Sequence, residues 1–354
     1  MQIIKKIFQS ITNNATLMSW SAYLVQFGSG LIVLPLILTK FDKTDQAFWF
    51  LIGTIRGFAM LAEVGFGFII IRAVSYFFSG LKKLPKNLEE YEQSDSEKNL
   101  KPNFQGLSDL LSTIKVIYIF LAGVVLILVC SLGIITVLNL INLSEAPRHL
   151  WISYIFIAAS TILYIQTIQW QNYMHGLNFV AKVFRFGTFM GVIRIIVFST
   201  LLLLNFGIEF LSLYILIDTL FAYLYYRWFV NKWLKDNYKK CGRIKFKKDI
   251  FNSIWPITWK TGLTQWGEYF LGAGLSILAA QIQNVALMAS FLFTLRVFEM
   301  VRRTSEAPFY THIPVIYRHM AVKDFTVLKR KASVYILASL VLLTISLSVL
   351  GLWG

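Results

Sequence analysis

Nine stretches of this chain are apolar for roughly 20 residues or more, at 16–39, 47–71, 113–141, 151–172, 186–206, 211–229, 254–280, 286–309 and 332–353. A helix of that length spans a bilayer core and satisfies all of its own backbone hydrogen bonds, which lipid cannot do for it. Composition agrees: 56% of the 354 residues are hydrophobic, 16% are aromatic and 15% are charged, more apolar surface than one water-soluble core absorbs. The expected fold is an all-α polytopic membrane protein of about nine transmembrane helices.

The cations fall unevenly between these runs. Twenty-seven of the 34 Lys and Arg lie in alternate loops, at 1–15, 72–115, 173–185, 227–248 and 302–331. The opposite loops hold Lys40, Lys43 and Arg148 alone. Under the positive-inside rule this places the N-terminus in the cytoplasm. The net charge of +16 then reads as loops held against anionic membrane lipids, not as nucleic-acid binding. The densest basic run, KKCGRIKFKKDI at 239–250, is a short connection with no folded reader beside it.

Two other segments bear on organisation. MQIIKKIFQS places two lysines before an apolar run, but that run is too long for a signal peptide and no small-residue cleavage site follows. KKLPKNLEEYEQSDSEKNLKP at 82–102 balances five Lys against five acidic residues and reads as part of a solvated cytoplasmic loop at 79–112. No outer loop exceeds about ten residues by the limits of the runs given above, which leaves no room for an external catalytic domain, and the expectation is that the chain is not an enzyme. Cys130 in the third run and Cys241 in a loop lie too far apart for a disulfide.

WSAYLVQFG at 20–28 returns as WKTGLTQWG at 259–267, an offset of 239 residues, with Trp, Leu, Gln and Gly in register. Six crossings separate the copies, so both have the same orientation. Arg56 and Arg296, and likewise Glu63 and Arg303, are 240 apart. Parallel six-helix repeats are a transporter architecture, with substrate held between lobes that rock. The organisation expected is a cytoplasmic N-terminus at 1–15, a first lobe at 16–230, a basic linker at 231–252 and a second lobe at 253–354 that stops after three helices.

Charges within the runs carry the chemistry. Arg56, Glu63, Arg194, Asp218, Lys260, Glu268, Arg296 and Glu299 lie inside, with Arg302 and Arg303 nearer the cytoplasm. At about 2.5–3.5 kcal/mol each near the midplane, unpaired charges of this kind must face water or one another. The candidates for a cationic, substrate-binding cavity are Arg56, Arg194, Lys260, Arg296, Arg302 and Arg303. Arg presents a planar set of donors matched to phosphate oxygens, so an anionic, phosphorylated substrate is expected. Glu63, Asp218, Glu268 and Glu299 are candidates for ion coupling or for pairing with those cations. Spacing places Arg56 and Glu63 on one helix face, and Arg296 within reach of Glu299. Gly53 with Gly57, and Gly187 with Gly191, permit close helix contacts. His149, His175, His312 and His319 show no metal-ligand spacing and read as solvated.

Several stretches carry a family resemblance. EVGFGFIIIRAVSYFFSG (63–80), HGLNFVAKVFR (175–185), WKTGLTQWGEYF (259–270) and FYTHIPVIYRHMAVKDFTVLKRK (309–331) are similar to segments of the O-antigen and polysaccharide flippases of the multidrug, oligosaccharidyl-lipid and polysaccharide exporter superfamily. The resemblance implies two helical lobes moving undecaprenyl-pyrophosphate-linked oligosaccharide across a bacterial inner membrane by alternating access. No cofactor is implied beyond a proton or sodium gradient, and the partners implied are a polysaccharide polymerase and chain-length machinery. Arg56, Arg296 and Arg303 stand where pyrophosphate or sugar contacts are expected, Arg72 at the cytoplasmic exit, and Pro314 at the end of the eighth span. The alternatives are a multidrug or small-solute exporter of the same architecture and a polysaccharide polymerase.

Overall fold

The computed structural model describes residues 14–63, 65–85, 101–135, 137–138, 147–238, 246–280 and 285–353, and every regular element among them is a helix. Side chains are not described for Thr54, Pro147, Gln265, 268–280, 285–293, Leu295, Arg296, Glu299 and Trp353. Eleven α-helices are defined: α1 Ala15–Lys40, α2 Lys43–Glu63, α3 Phe66–Phe78, α4 Phe104–Leu128, α5 Pro147–Gly176, α6 Val180–Leu203, α7 Ile208–Asn237, α8 Lys248–Ala280, α9 Val285–Tyr310, α10 Ile313–Ala321 and α11 Phe325–Trp353.

Local chemistry sets the helix ends. Asn14 accepts from the Thr16 and Leu17 amides to cap α1, and Asn103 accepts from Gly106 to cap α4. α4 is therefore helical from Phe104, inside the loop expected at 79–112, and residues 86–100 of that loop lie outside the described residues. Past Leu128 it widens into a π-turn at Val129–Gly133. There the Tyr154 hydroxyl of α5 reaches the Val129 carbonyl, through space that a side chain at Gly133 would fill. Pro314 does not end the eighth run. It sits in the first turn of α10, where a proline's missing N–H has no intrahelical partner to lose.

The chain is a multi-pass membrane protein. Among the described residues α1, α4 with its π-turn, α5, α6, α7 and α11 are long and apolar enough to cross a bilayer. α2 and α3 make a seventh span if taken as one, bent by 50°. Gly65 at the bend has φ 77°, a left-handed conformation that side chains resist. α8 and α9 are long, but α8 carries Thr261, Thr264, Gln265 and Glu268, and α9 carries Arg296, Glu299, Arg302, Arg303 and Glu306.

α5 is the hub of the first half, touching α2, α3, α4, α6 and α7. Its buried Ser153, Ser160, Thr161 and Thr167 return their hydroxyls to helix carbonyls, so small side chains let neighbours close in while every such hydroxyl is satisfied. α1 lies along α6. A Cβ at Gly191 would fall 2.7 Å from Val25, whereas Gly53 and Gly187 face open space.

The stretches on either side of 239–245 meet at several points. Trp20 on α1 donates its indole N–H to the Thr304 carbonyl on α9 at 3.0 Å, and Trp266 on α8 donates to the Leu61 carbonyl on α2 at 3.2 Å. Thr16 and Thr311 hydroxyls pair at 3.1 Å. At the bend a Cβ on Gly65 would lie 2.6 Å from the Gly262 amide, so backbone meets backbone there.

Candidate functional site

Two layers of charge lie along the α2–α5 contact, separated by the step of seven residues from Arg56 to Glu63, about 10 Å of helix. α2 and α5 run in the same direction, so Arg56 faces Tyr164 and Glu63 faces Asn172.

In the Arg56 layer the guanidinium stacks on the Tyr164 ring, 4.8 Å from its centre. Arg56 also lies within electrostatic range of Arg194 on α6 and Asp218 on α7. Arg194 donates to the Asp218 carboxylate in an ion pair that joins those helices; Asp218 is buried, and the Arg194 side chain is 39% exposed. Asp218 is thus in direct contact with Arg194, while Arg56 lies only within electrostatic range of both. Tyr164 and Tyr214 add phenols to the cluster. The arrangement has an excess positive charge and aromatic faces, and it can attract an anion.

In the second layer Glu63, the last residue before the bend, accepts through Oε1 from the Tyr118 hydroxyl at 2.7 Å and from the Asn172 amide at 2.9 Å. Gly67 sits against this node: a Cβ there would lie 2.9 Å from Asn172 Nδ2 and 3.1 Å from Glu63 Oε1. A short polar chain leads away from it, with Gln166 donating to the Tyr118 carbonyl and Gln169 donating to Gln166. A carboxylate whose partners among the described residues are neutral donors is a place where a proton or small cation can bind without breaking an ion pair.

Toward the end of the bundle that holds the basic loops, α10 braces the first half. The Arg318 guanidinium stacks 4.2 Å from the Phe78 ring centre and donates to the Leu177 carbonyl at 3.1 Å. Burial pulls its pKa down to about 10. Tyr310 closes over His175 and Phe68 through ring contacts. His175 is buried against Phe184 and Tyr310, a correction to the solvated histidine expected, because α9 covers it. His149 pairs with Asp45 at 2.8 Å.

The remaining candidates are dispersed. Lys260 is exposed with its ammonium 6.0 Å from the Trp259 ring. Arg302 lies 3.6 Å from Glu306 one turn on, both more than half exposed. Arg303 lies in electrostatic range of Tyr23 on α1. The side chains of Glu268, Arg296 and Glu299 lie outside the described residues. Arg56, Arg194 and Asp218 are thus brought together, Glu63 forms a node of its own, and Lys260 and Arg302 belong to neither. Tyr118, Tyr164 and Asn172, the neutral partners, went unread in the sequence because a search for intramembrane charge passes over them; polar residues spaced along one face of an apolar run were the available signal.

No protein-family model, curated protein or solved structure matches this chain.

Proposed function

We propose that the chain is a transporter moving undecaprenyl-pyrophosphate-linked oligosaccharide from the inner to the outer leaflet of a bacterial cytoplasmic membrane, with nine spans in two lobes and its N-terminus in the cytoplasm. The observation that carries this reading is the Arg56, Arg194 and Asp218 cluster: a positive excess within the spans, costly in a bilayer unless an anion or water meets it. A diphosphate supplies such an anion, and the polyprenyl tail stays in lipid.

Contacts between the two halves support the two-lobe arrangement. Trp20, which opens the first copy of the repeated motif, binds the second span of the far lobe, and Trp266, which aligns with Phe27 in the repeat, binds the second span of the near one. Lobes facing one another bring first and second spans of opposite halves together in this way. The charges on α8 and α9 fit the same picture, since spans facing a wet interior need not be apolar throughout. Glu63, next to the bend and to the Gly65–Gly262 approach, is the candidate for coupling to a proton or sodium gradient.

The test uses the purified chain in proteoliposomes with a fluorescent undecaprenyl-diphosphate oligosaccharide, scored by accessibility to an external quencher. Arg56→Ala should slow flipping at least ~10-fold, the worth of one charge-assisted hydrogen bond of about 1.5 kcal/mol or more, and Arg56→Lys should recover part of it. Equal rates for wild type and Arg56→Ala would overturn the proposal.

A further inference from the structure

α6 and α7 form a hairpin that opens toward the basic loops. A tight turn at 204–207 joins them at one end, and Arg194 and Asp218 tie them near mid-depth. Each helix packs chiefly on a different neighbour, α6 along α1 and α7 along α5, and beyond the ion pair aromatic side chains bridge the two. Their divergence leaves an open cleft of about 630 Å³ between the start of α6 and the end of α7.

The cleft combines aromatic walls with cations. Phe186 and Tyr225 stack across it, ring centres 4.0 Å apart and planes nearly parallel. Lys182 holds its ammonium 4.7 Å from the ring centres of both Phe179 and Phe229, and Lys232 holds its own 5.1 Å from that of Trp228. Neither ammonium has a carboxylate within ion-pair distance among the described residues. Aromatic faces steady a cation without consuming its N–H donors, which stay available to a phosphate. Arg185 adds a third positive charge, and Asp236 is the single carboxylate in the wall.

A shallow hollow of about 440 Å³ continues from the cleft along the exposed face of α7 alone, sharing Trp228, Lys232 and Asp236 and adding Arg227 and Lys235. Trp228 and Phe189 are 57% and 62% exposed, apolar surface for acyl chains beside the charges. Basic pockets between membrane helices at the leaflet that attracts positive loops suit anionic headgroups. We propose that this cleft, with the hollow beside it, is a binding site for an anionic phospholipid with two phosphates in its headgroup, of the cardiolipin class, one phosphate served by Lys182 and Arg185 and the other by Lys232 and Lys235. The site is separate from the Arg56 cluster, and a resident lipid there steadies the open end of the hairpin.

Native mass spectrometry of the wild-type chain, taken from nanodiscs of phosphatidylcholine alone, with phosphatidylglycerol, or with cardiolipin, reads the retained lipid directly. Cardiolipin should be retained as one molecule per chain, well above phosphatidylglycerol, with no phosphatidylcholine held. Lys182→Gln with Lys232→Gln should lower cardiolipin affinity roughly 30-fold, from about one interfacial charge contribution per lysine. Lys182→Arg with Lys232→Arg should restore it, and Lys329→Gln with Arg330→Gln on α11 should leave it unchanged. Equal retention of the three lipids by the wild-type chain, unchanged affinity in the double Gln variant, or stoichiometric displacement of cardiolipin by undecaprenyl diphosphate would each overturn the proposal. The wild-type lipid comparison decides the matter even if a variant fails to fold.

Discussion

The indole of Trp20 donates to the carbonyl of Thr304, 284 residues further along the chain, and four residues before Trp20 the Thr16 hydroxyl meets that of Thr311. α1 and α9 are thereby fastened at the end where the basic loops gather. In a Cys130→Ser, Cys241→Ser background, Thr16→Cys with Thr311→Cys should crosslink on mild oxidation, since the two oxygens are 3.1 Å apart. Gel mobility reports the bond. On the proposed function, flipping should stop on oxidation and return on reduction; unchanged flipping in a fully crosslinked sample would show that this contact does not open during transport.

The bend between α2 and α3 separates two glycine substitutions that look alike in sequence. Gly65 has φ 77° and a Cβ there would sit 2.6 Å from the Gly262 amide, while Gly53 has nothing within 4 Å. Gly65→Ala should destabilise the protein by about 2 kcal/mol or more. Gly53→Ala, on a helix interior facing open space, should be neutral or stabilising by roughly 0.5–1 kcal/mol. Thermal unfolding in detergent compares them.

The Arg194 and Asp218 pair is asymmetric, with the carboxylate buried and the guanidinium 39% exposed. Removing the cation should therefore cost more. Arg194→Met leaves Asp218 buried and unpaired, a loss of about 3 kcal/mol. Asp218→Asn leaves a guanidinium with room to turn outward and should cost less. Arg194→Met with Asp218→Leu should recover most of the loss, and a double-mutant cycle measured by unfolding yields the coupling.

Glu63 Oε1 accepts from both Tyr118 and Asn172. Glu63→Gln keeps an oxygen at that point, so stability should stay within about 1 kcal/mol of wild type, whereas Glu63→Leu strands two buried donors at about 1–3 kcal/mol each. If Glu63 is the coupling group, Glu63→Gln should fold normally and flip at a rate indifferent to an imposed proton or sodium gradient. A gradient response retained in that variant assigns coupling elsewhere.

His319 on α10 accepts a hydrogen bond from Lys331 at 2.9 Å through Nε2, which requires the neutral ring. Burial and the Lys331 charge both lower its pKa from the ordinary 6.5. The folded state thus binds this proton more weakly than the unfolded chain. The contribution to stability is complete above about pH 6.5 and fades as pH falls through the lowered folded value. His319→Gln should flatten that part of the stability profile, measured by unfolding midpoint against pH.

The long helices were legible because the bilayer imposes one rule on each of them, about 20 apolar residues with internally satisfied backbone. Features that answer to a particular neighbour were not. The run at 47–71 reads as one span, and its division at Gly65 depends on a left-handed glycine pressed against α8. α10 hid inside a basic loop at 302–331, although Pro314 in its first turn is a recognisable start. Arg56, Glu63, Arg194 and Asp218 stood out by charge alone. Their neutral partners on α4 and α5 carry no such label, and only the fold brings Tyr118 and Asn172 to one oxygen.

The pairing of Glu63 with Asn172 crosses 109 residues of chain, and this fixes an order of events during synthesis. α2 leaves the ribosome well before α5, so its arginine and glutamate meet the insertion machinery while Tyr164 and Asn172 are still unmade. The second span therefore carries both charges without these partners until the hub helix emerges. Substitutions of Tyr164 or Asn172 on α5 are expected to expose the second span to quality-control proteases, measured as a shortened half-life of the newly made chain.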